Sequence, residues 1–320
     1  MSGILVIEER DAIAEILVAR LRESPFVKHC RRIRAPETHS LDHRVRALAG
    51  ALRDENIDAV IYSPSRLAPL RMTPSLTEAT AFLRLFAESK TGKLILLSSA
   101  KVYGASCHNQ GLIPEARTPV SLNRSWLADE WSELEEIAAR HCRASGTQLT
   151  ILRPAATPVP RGDDYFSKLL RGPLAFVLPG HDPSLQFLTP DDLAVAVRCA
   201  FERKASGIYN VAPDGVITLR AALRLTGAQR VLIPRTLRRL FNSADHLDFI
   251  RYSWTVSNQK IKSKLGYAPK YSSTAALRNF MLAENGKARD QSVTSHEFDD
   301  FGMDKNYIAA YGRTLFNFLH

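Results

Sequence analysis

Few residues in this 320-residue chain are spaced for chemistry, and the foremost are charged. Glu8-Glu9-Arg10-Asp11 link the apolar run Ile4-Leu5-Val6-Ile7 to a helical pattern in which Ile13, Ile16, Leu17 and Leu21 recur at three and four. An opening strand-turn-helix unit of this kind ordinarily carries glycines there. Bare main chain lets a dinucleotide pyrophosphate reach the N–H groups at the helix end. Here side chains narrow that approach and bring negative charge toward a dianion. Two like charges 4 Å apart repel by roughly 4 kcal/mol at an effective dielectric of 20, or about three decades in affinity. Asp11 is a good N-cap residue, and with Glu8 or Glu9 nearby the protein would fill its own anion site. The plainer reading makes them surface acids of a turn. Either way a dinucleotide is poorly served.

The other candidates offer less. Ser98 and Ser99 lack the Gly-x-Ser-x-Gly setting of a hydrolase nucleophile. The histidines show no paired spacing for a metal, so no metal site is expected. Cys30, Cys107, Cys142 and Cys199 are far apart and read as reduced, structural residues. Asp129, Glu130, Glu133, Glu135 and Glu136 read as the solvated face of a helix whose other side carries Leu127, Trp131, Leu134 and Ala138. A net charge of +10 permits nucleic acid as a partner, but the densest basic cluster, Lys28 to Arg34, has no interleaved aromatics for base stacking.

These residues must be held by a core of ordinary size: hydrophobic residues are 45% and charged residues 24% of the chain. No apolar run approaches the ~20 residues of a membrane span, and acids directly after the first run argue against a secretory signal. The expected location is cytoplasmic. Strands are expected at Ile4–Ile7, Val27–Ile33, Ala59–Tyr62, Leu94–Ser98 and Leu149–Leu152. Helices are expected near Ala12–Arg22, Arg44–Asp54, Leu76–Glu88 and Leu127–His141. Strand and helix in alternation, with near-continuously apolar strands, predict a doubly wound parallel α/β sheet of Rossmann type. Residues 1–160 would form this domain, and 161–283 would supply segments of a smaller lobe, broken by prolines and glycines and interleaved with the sheet. This half of the chain includes a helix at Asp191–Glu202 and a strand at Gly207–Val211. Residues 284–320 would be a linker and an amphipathic tail. Within the tail, 298–320 would dock a partner protein or a membrane surface, or fold back on its own domain.

Several segments resemble one family, the extended short-chain dehydrogenases/reductases of the NAD-dependent epimerase/dehydratase group. LILLSSAKVYG (Leu94 to Gly104) is similar to the family's fourth strand and its Ser-Ser-x-x-Val-Tyr-Gly motif. IDAVIYSPS, TILRPA, QFLTPDDLAVAV, GIYNVA and KLGYAPKYS match later landmarks in order, over roughly residues 4 to 280. The resemblance implies a nucleotide-binding sheet with a C-terminal substrate lobe. It also implies hydride transfer to bound NAD(P), in many members on a nucleotide sugar.

Residue by residue, the implied chemistry is missing. The family's three phosphate-loop glycines fall on Glu8, Asp11 and Ala14, of which only Ala14 is a mild change. Ser99 takes the catalytic hydroxyl position, but Leu122 and Trp126 take those of the Tyr and Lys. Neither transfers a proton. Tyr103 and Lys101 are near substitutes in a turn. Arg31, Arg32 and Arg34 stand where members read the adenosine ribose, and guanidinium there would suit the 2′-phosphate of NADP or another anion. Phe187, Asp191 and Asp192 read as structural landmarks. The expectation is a pseudoenzyme holding no cofactor, a binding, scaffold or regulatory protein. The alternatives are a divergent NAD- or NADP-dependent enzyme on a nucleotide sugar or lipid-linked sugar, and an RNA-binding relative of the fold.

Overall fold

The computed structural model describes residues 2–8, 11–34, 40–52, 56–64, 75–89, 91–109, 111–117, 126–162, 164–232 and 245–286. All belong to the first of two units, Met1–Lys287; the second, Ala288–His320, with the proposed docking tail, lies outside the described residues. Strand and helix alternate as the apolar spacing predicts: β1 Ser2–Ile7, α1 Asp11–Arg22, β2 Val27–Ile33, α2 Leu41–Leu52, β3 Ala59–Tyr62, α3 Leu76–Ala87, β4 Lys93–Leu97, α4 Trp126–Ser145 and β5 Gln148–Pro154. The chain continues with α5 Tyr165–Arg171, β6 Leu174–Val177, β7 Ser184–Leu185, α6 Pro190–Glu202, β8 Gly207–Val211, β9 Ile217–Thr218, α7 Leu219–Thr226, β10 Gln229–Leu232, α8 Gln259–Leu265 and α9 Ser273–Glu284. Three boundaries differ from expectation in a way that matters. Asp11 opens α1 instead of capping it. Helix α2 starts three residues early because the Ser40 hydroxyl accepts from the His43 N–H at 3.3 Å. Glu284, expected in a linker, ends α9.

Six strands pair in the order β2-β1-β3-β4-β5-β8, all parallel. The chain steps from β1 out to β2 and then returns past β1 to β3. The carboxyl ends of β1 and β3 therefore flank the switch point, where sheets of this kind bind ligands. Ile4, Leu5 and Val6 are fully buried, each stabilising the sheet by about 1.5–3 kcal/mol. Gly3 is required: a Cβ there would fall 1.8 Å from the Asn56 carbonyl oxygen and 2.6 Å from the His29 ring. Charged side chains cap the sheet edges. Arg22 Nη2 donates to the Cys30 carbonyl of β2 at 3.1 Å. On β8, Glu115 accepts the Asn210 N–H at 2.8 Å and Lys260 Nζ donates to the Ile208 carbonyl at 2.7 Å. Edges dressed this way resist pairing with foreign strands.

Outside the large sheet, β6 pairs with β10 in parallel and β7 with β9 antiparallel. An aromatic cluster is buried in this part of the chain. Phe166 stands 5.9 Å from Phe187 and 5.8 Å from Trp254, which meets Phe249 edge-on at 5.2 Å. Phe187 is thus a core residue, as expected of a landmark. Asp191 bonds Arg20 of α1 at 2.9 Å. Asp192 is buried, and its carboxylate accepts the N–H groups of Lys270 at 2.8 Å and Tyr271 at 3.2 Å.

Lys93 begins β4 almost buried, its ammonium donating to the Ala200 carbonyl in the last turn of α6 at 3.1 Å. Burial, helped by the charge of Lys204, pushes it down to about 8 from 10.5. Between those values the unfolded chain binds the extra proton, so this group's contribution to stability rises with pH. Below pH 8 the penalty for the buried charge is fully present. Cys30 and Cys142 pull the other way, because burial pushes both thiols up to about 11. A comparison with Lys93→Met cancels their effect. From pH 8 to 9.5 the wild type should gain about 1.5 kcal/mol on the variant by urea unfolding. A constant gap would refute the assignment.

Candidate functional site

Glu8 follows β1 at the switch point and is only 2% exposed. Arg32, near the end of β2, donates from Nη2 to the Glu8 carbonyl oxygen at 3.2 Å. Beside them the Ser63 N–H, past the end of β3, donates to the Ile7 carbonyl at 2.9 Å. Glu8 is therefore no surface acid, which removes the plain-turn reading for it. The side chain of Asp11 lies outside the described residues, as do Glu9 and Arg10. Ala14 is fully buried, so its methyl is accommodated in the packing around α1. Arg31 Nη2 reaches the Ala51 carbonyl at 3.4 Å, and Arg34 is exposed. Two of the three expected anion contacts thus direct guanidinium N–H groups at main-chain carbonyls of their own unit.

At the end of β4, Ser99 caps a 3-10 turn, Ala100–Tyr103, by accepting the Lys101 N–H at 3.2 Å. Leu122 lies outside the described residues. Trp126 opens α4, and its side chain is likewise outside them. Lys101 and Tyr103 are buried. The Tyr103 hydroxyl accepts from Arg153 Nη1 at 2.7 Å and donates to Asn210 Oδ1 at 2.9 Å. Burial raises its pKa although Arg153 opposes the shift. Closed off and poorly acidic, Tyr103 does not suit the proton-transfer role of a substitute acid.

Sequence reasoning missed the constellation behind this turn. Glu135 was expected on a solvated face; it is buried, and its carboxylate is gripped by Arg153 of β5, Nε at 2.9 Å and Nη2 at 2.6 Å. Ser98 Oγ donates to the same carboxylate at 2.5 Å. Burial works against the Arg153 charge, and the bonds to Glu135 outweigh it. Asn210 completes the set by donating to the Ile113 carbonyl at 3.0 Å. The signal was present: Trp131, Leu134, Glu135 and Ala138 share one helical stripe. Of the remaining acids of α4, Asp129, Glu133 and Glu136 are exposed as expected and Glu130 is half-buried.

Cys30 and Cys142 are buried and Cys199 half-buried, as structural residues should be, but Cys107 is exposed. Among the described residues no group of three His, Cys, Asp or Glu is placed to hold a metal ion, and no helix is long and apolar enough to cross a membrane.

No family model matches the chain. Uncharacterized proteins of Mycobacterium tuberculosis and Mycobacterium bovis are 25% identical over 299 residues, 82% of this chain and 79% of theirs. Solved structures match the fold. UDP-glucose 4-epimerase of Thermotoga maritima, with UDP-glucose, superposes with a TM-score of 0.68 at 16% identity over 89% of this chain and 99% of its own. MoeE5, in complex with UDP-glucuronic acid and NAD, gives 0.70 at 16% over 90% and 100%. The dTDP-glucose 4,6-dehydratase of Bacillus anthracis, in complex with NAD, gives 0.66 at 13% over 90% and 97%. The chain therefore has the Rossmann-like fold of the extended short-chain dehydrogenases/reductases, as the ordered landmarks implied.

Proposed function

We propose that this chain is a non-catalytic binding protein built on the epimerase/dehydratase fold, with its own residues standing in the dinucleotide site. Glu8 carries the reading: a buried acid at the switch point, where a pyrophosphate would need bare main chain, with Arg32 bonded to its carbonyl. When bound to proteins of this fold, NAD(P) supplies a reversible hydride acceptor. The residues here fit its diphosphate poorly, and Leu122 and Trp126 leave no acid–base pair in the family register. A second reading, a divergent NAD(P)-dependent enzyme on a nucleotide sugar, draws support from the NAD and UDP-sugars named in the similar structures. Fluorescence titration with NADH and NADPH separates the two. We expect no binding tighter than about 100 μM, roughly −5.5 kcal/mol. A tighter site would overturn the first reading in favour of the second.

A further inference from the structure

Lys93 is almost buried, yet among the described residues its ammonium makes no ion pair. One acceptor meets it, the Ala200 carbonyl at 3.1 Å, and the Phe201 ring lies 5.9 Å away. The charge that acts on it is of its own sign, on Lys204. The acids at this end of the sheet are engaged elsewhere. Asp58, just before the Ala59 that pairs with Lys93, accepts the Gly3 N–H at 2.8 Å. Glu202, at the end of α6, lies 3.9 Å from Arg198. A buried cation without a counter-ion keeps a desolvation penalty that one neutral hydrogen bond does not offset.

Lys93 opens β4, at the amino end of the sheet and away from the switch point. Gly92 before it is exposed, as are Arg203 and Lys204 after α6, so the residue stands at the rim of the sheet. An amine held this way sheds its proton readily. With burial and Lys204 pushing it down to about 8, roughly two hundred times more of it is neutral at pH 7.5 than of a lysine at about 10.4. Only the neutral amine has a lone pair with which to attack an acyl carbon.

We propose that Lys93 is an acylation site that takes the acyl group of a small acyl phosphate. The ammonium first gives its proton to water, and the amine lone pair attacks the acyl carbon. A C–N bond forms, the C–O bond to phosphate breaks, phosphate leaves with the electron pair, and the second amine proton passes to water. The product is a neutral amide. Its remaining N–H keeps the Ala200 carbonyl as acceptor, while the unpaired buried charge is gone. The donor must be small because Lys93 is only 8% exposed. Its anionic phosphate is drawn to this rim by exposed Arg203 and Lys204. The proposal is independent of the dinucleotide site.

Timed treatment of the full chain with acetyl phosphate, followed by peptide mass spectrometry, tests it. At pH 7.5 Lys93 should acetylate about tenfold faster than exposed Lys28 and Lys264, restricted access cancelling part of the neutral-amine advantage. At pH 9.5 that ratio should be about twentyfold lower, because the exposed lysines are then losing protons too. In the urea-unfolded chain the preference should vanish, since the burial that creates it is lost. A Lys93 rate at pH 7.5 no higher than that of the exposed lysines, a ratio unmoved by pH, or a preference that persists in urea overturns the proposal.

Discussion

Replacing Glu135 by alanine should destabilise the protein by about 3–5 kcal/mol, because it leaves the Arg153 guanidinium buried without its counter-ion. Arg153 is 2% and Glu135 6% exposed, so water cannot take over the lost bonds without opening the interior. The same change deprives Ser98 Oγ of its acceptor and loosens the hold on Tyr103 through Arg153. Glu135→Gln keeps the shape and part of the bonding and should lose less. Glu135→Leu combined with Arg153→Met should recover most of the stability, since a well-filled apolar pair avoids the desolvation of both ions. Urea unfolding of the three variants measures the ranking. A loss below about 1 kcal/mol for Glu135→Ala would show that the pair is solvated after all.

The second large effect concerns ligand binding. Glu8→Gly together with Asp11→Gly should raise the affinity for NADH by about a thousandfold. That is the roughly 4 kcal/mol set by removing like charge near a diphosphate at an effective dielectric of 20, with the added benefit of restored main-chain approach. Glu8→Gln isolates the charge and should recover only part of the gain. If the double variant binds NADH no better than the wild type, Glu8 is not what excludes the dinucleotide.

The sheet was legible because its strands are covered on both faces. Runs such as Ile4-Leu5-Val6-Ile7 and Leu94-Ile95-Leu96-Leu97 are then continuously apolar, and the alternating helices show one greasy stripe each. Helix ends were less legible, since Ser40 starts α2 through a side-chain bond that apolar spacing does not reveal. Site residues were legible in proportion to how local their role is. Glu8 stood out because its position in the first turn is fixed by the strand before it. Glu135 did not, because it sits among four other acids and its partner lies 18 residues away on a strand.

The bond from Asp192 to the Lys270 and Tyr271 N–H groups sets a timetable for synthesis. The last strand of the large sheet, β8, ends at Val211, yet the Asp192 carboxylate on α6 waits for partners that emerge about sixty residues later. At typical translation speeds that is roughly 3–12 s, during which the Asp192 carboxylate lacks the two main-chain donors that hold it in the finished fold. Chains halted before Lys270 should therefore be poor at reaching a finished interior, and good clients for chaperones.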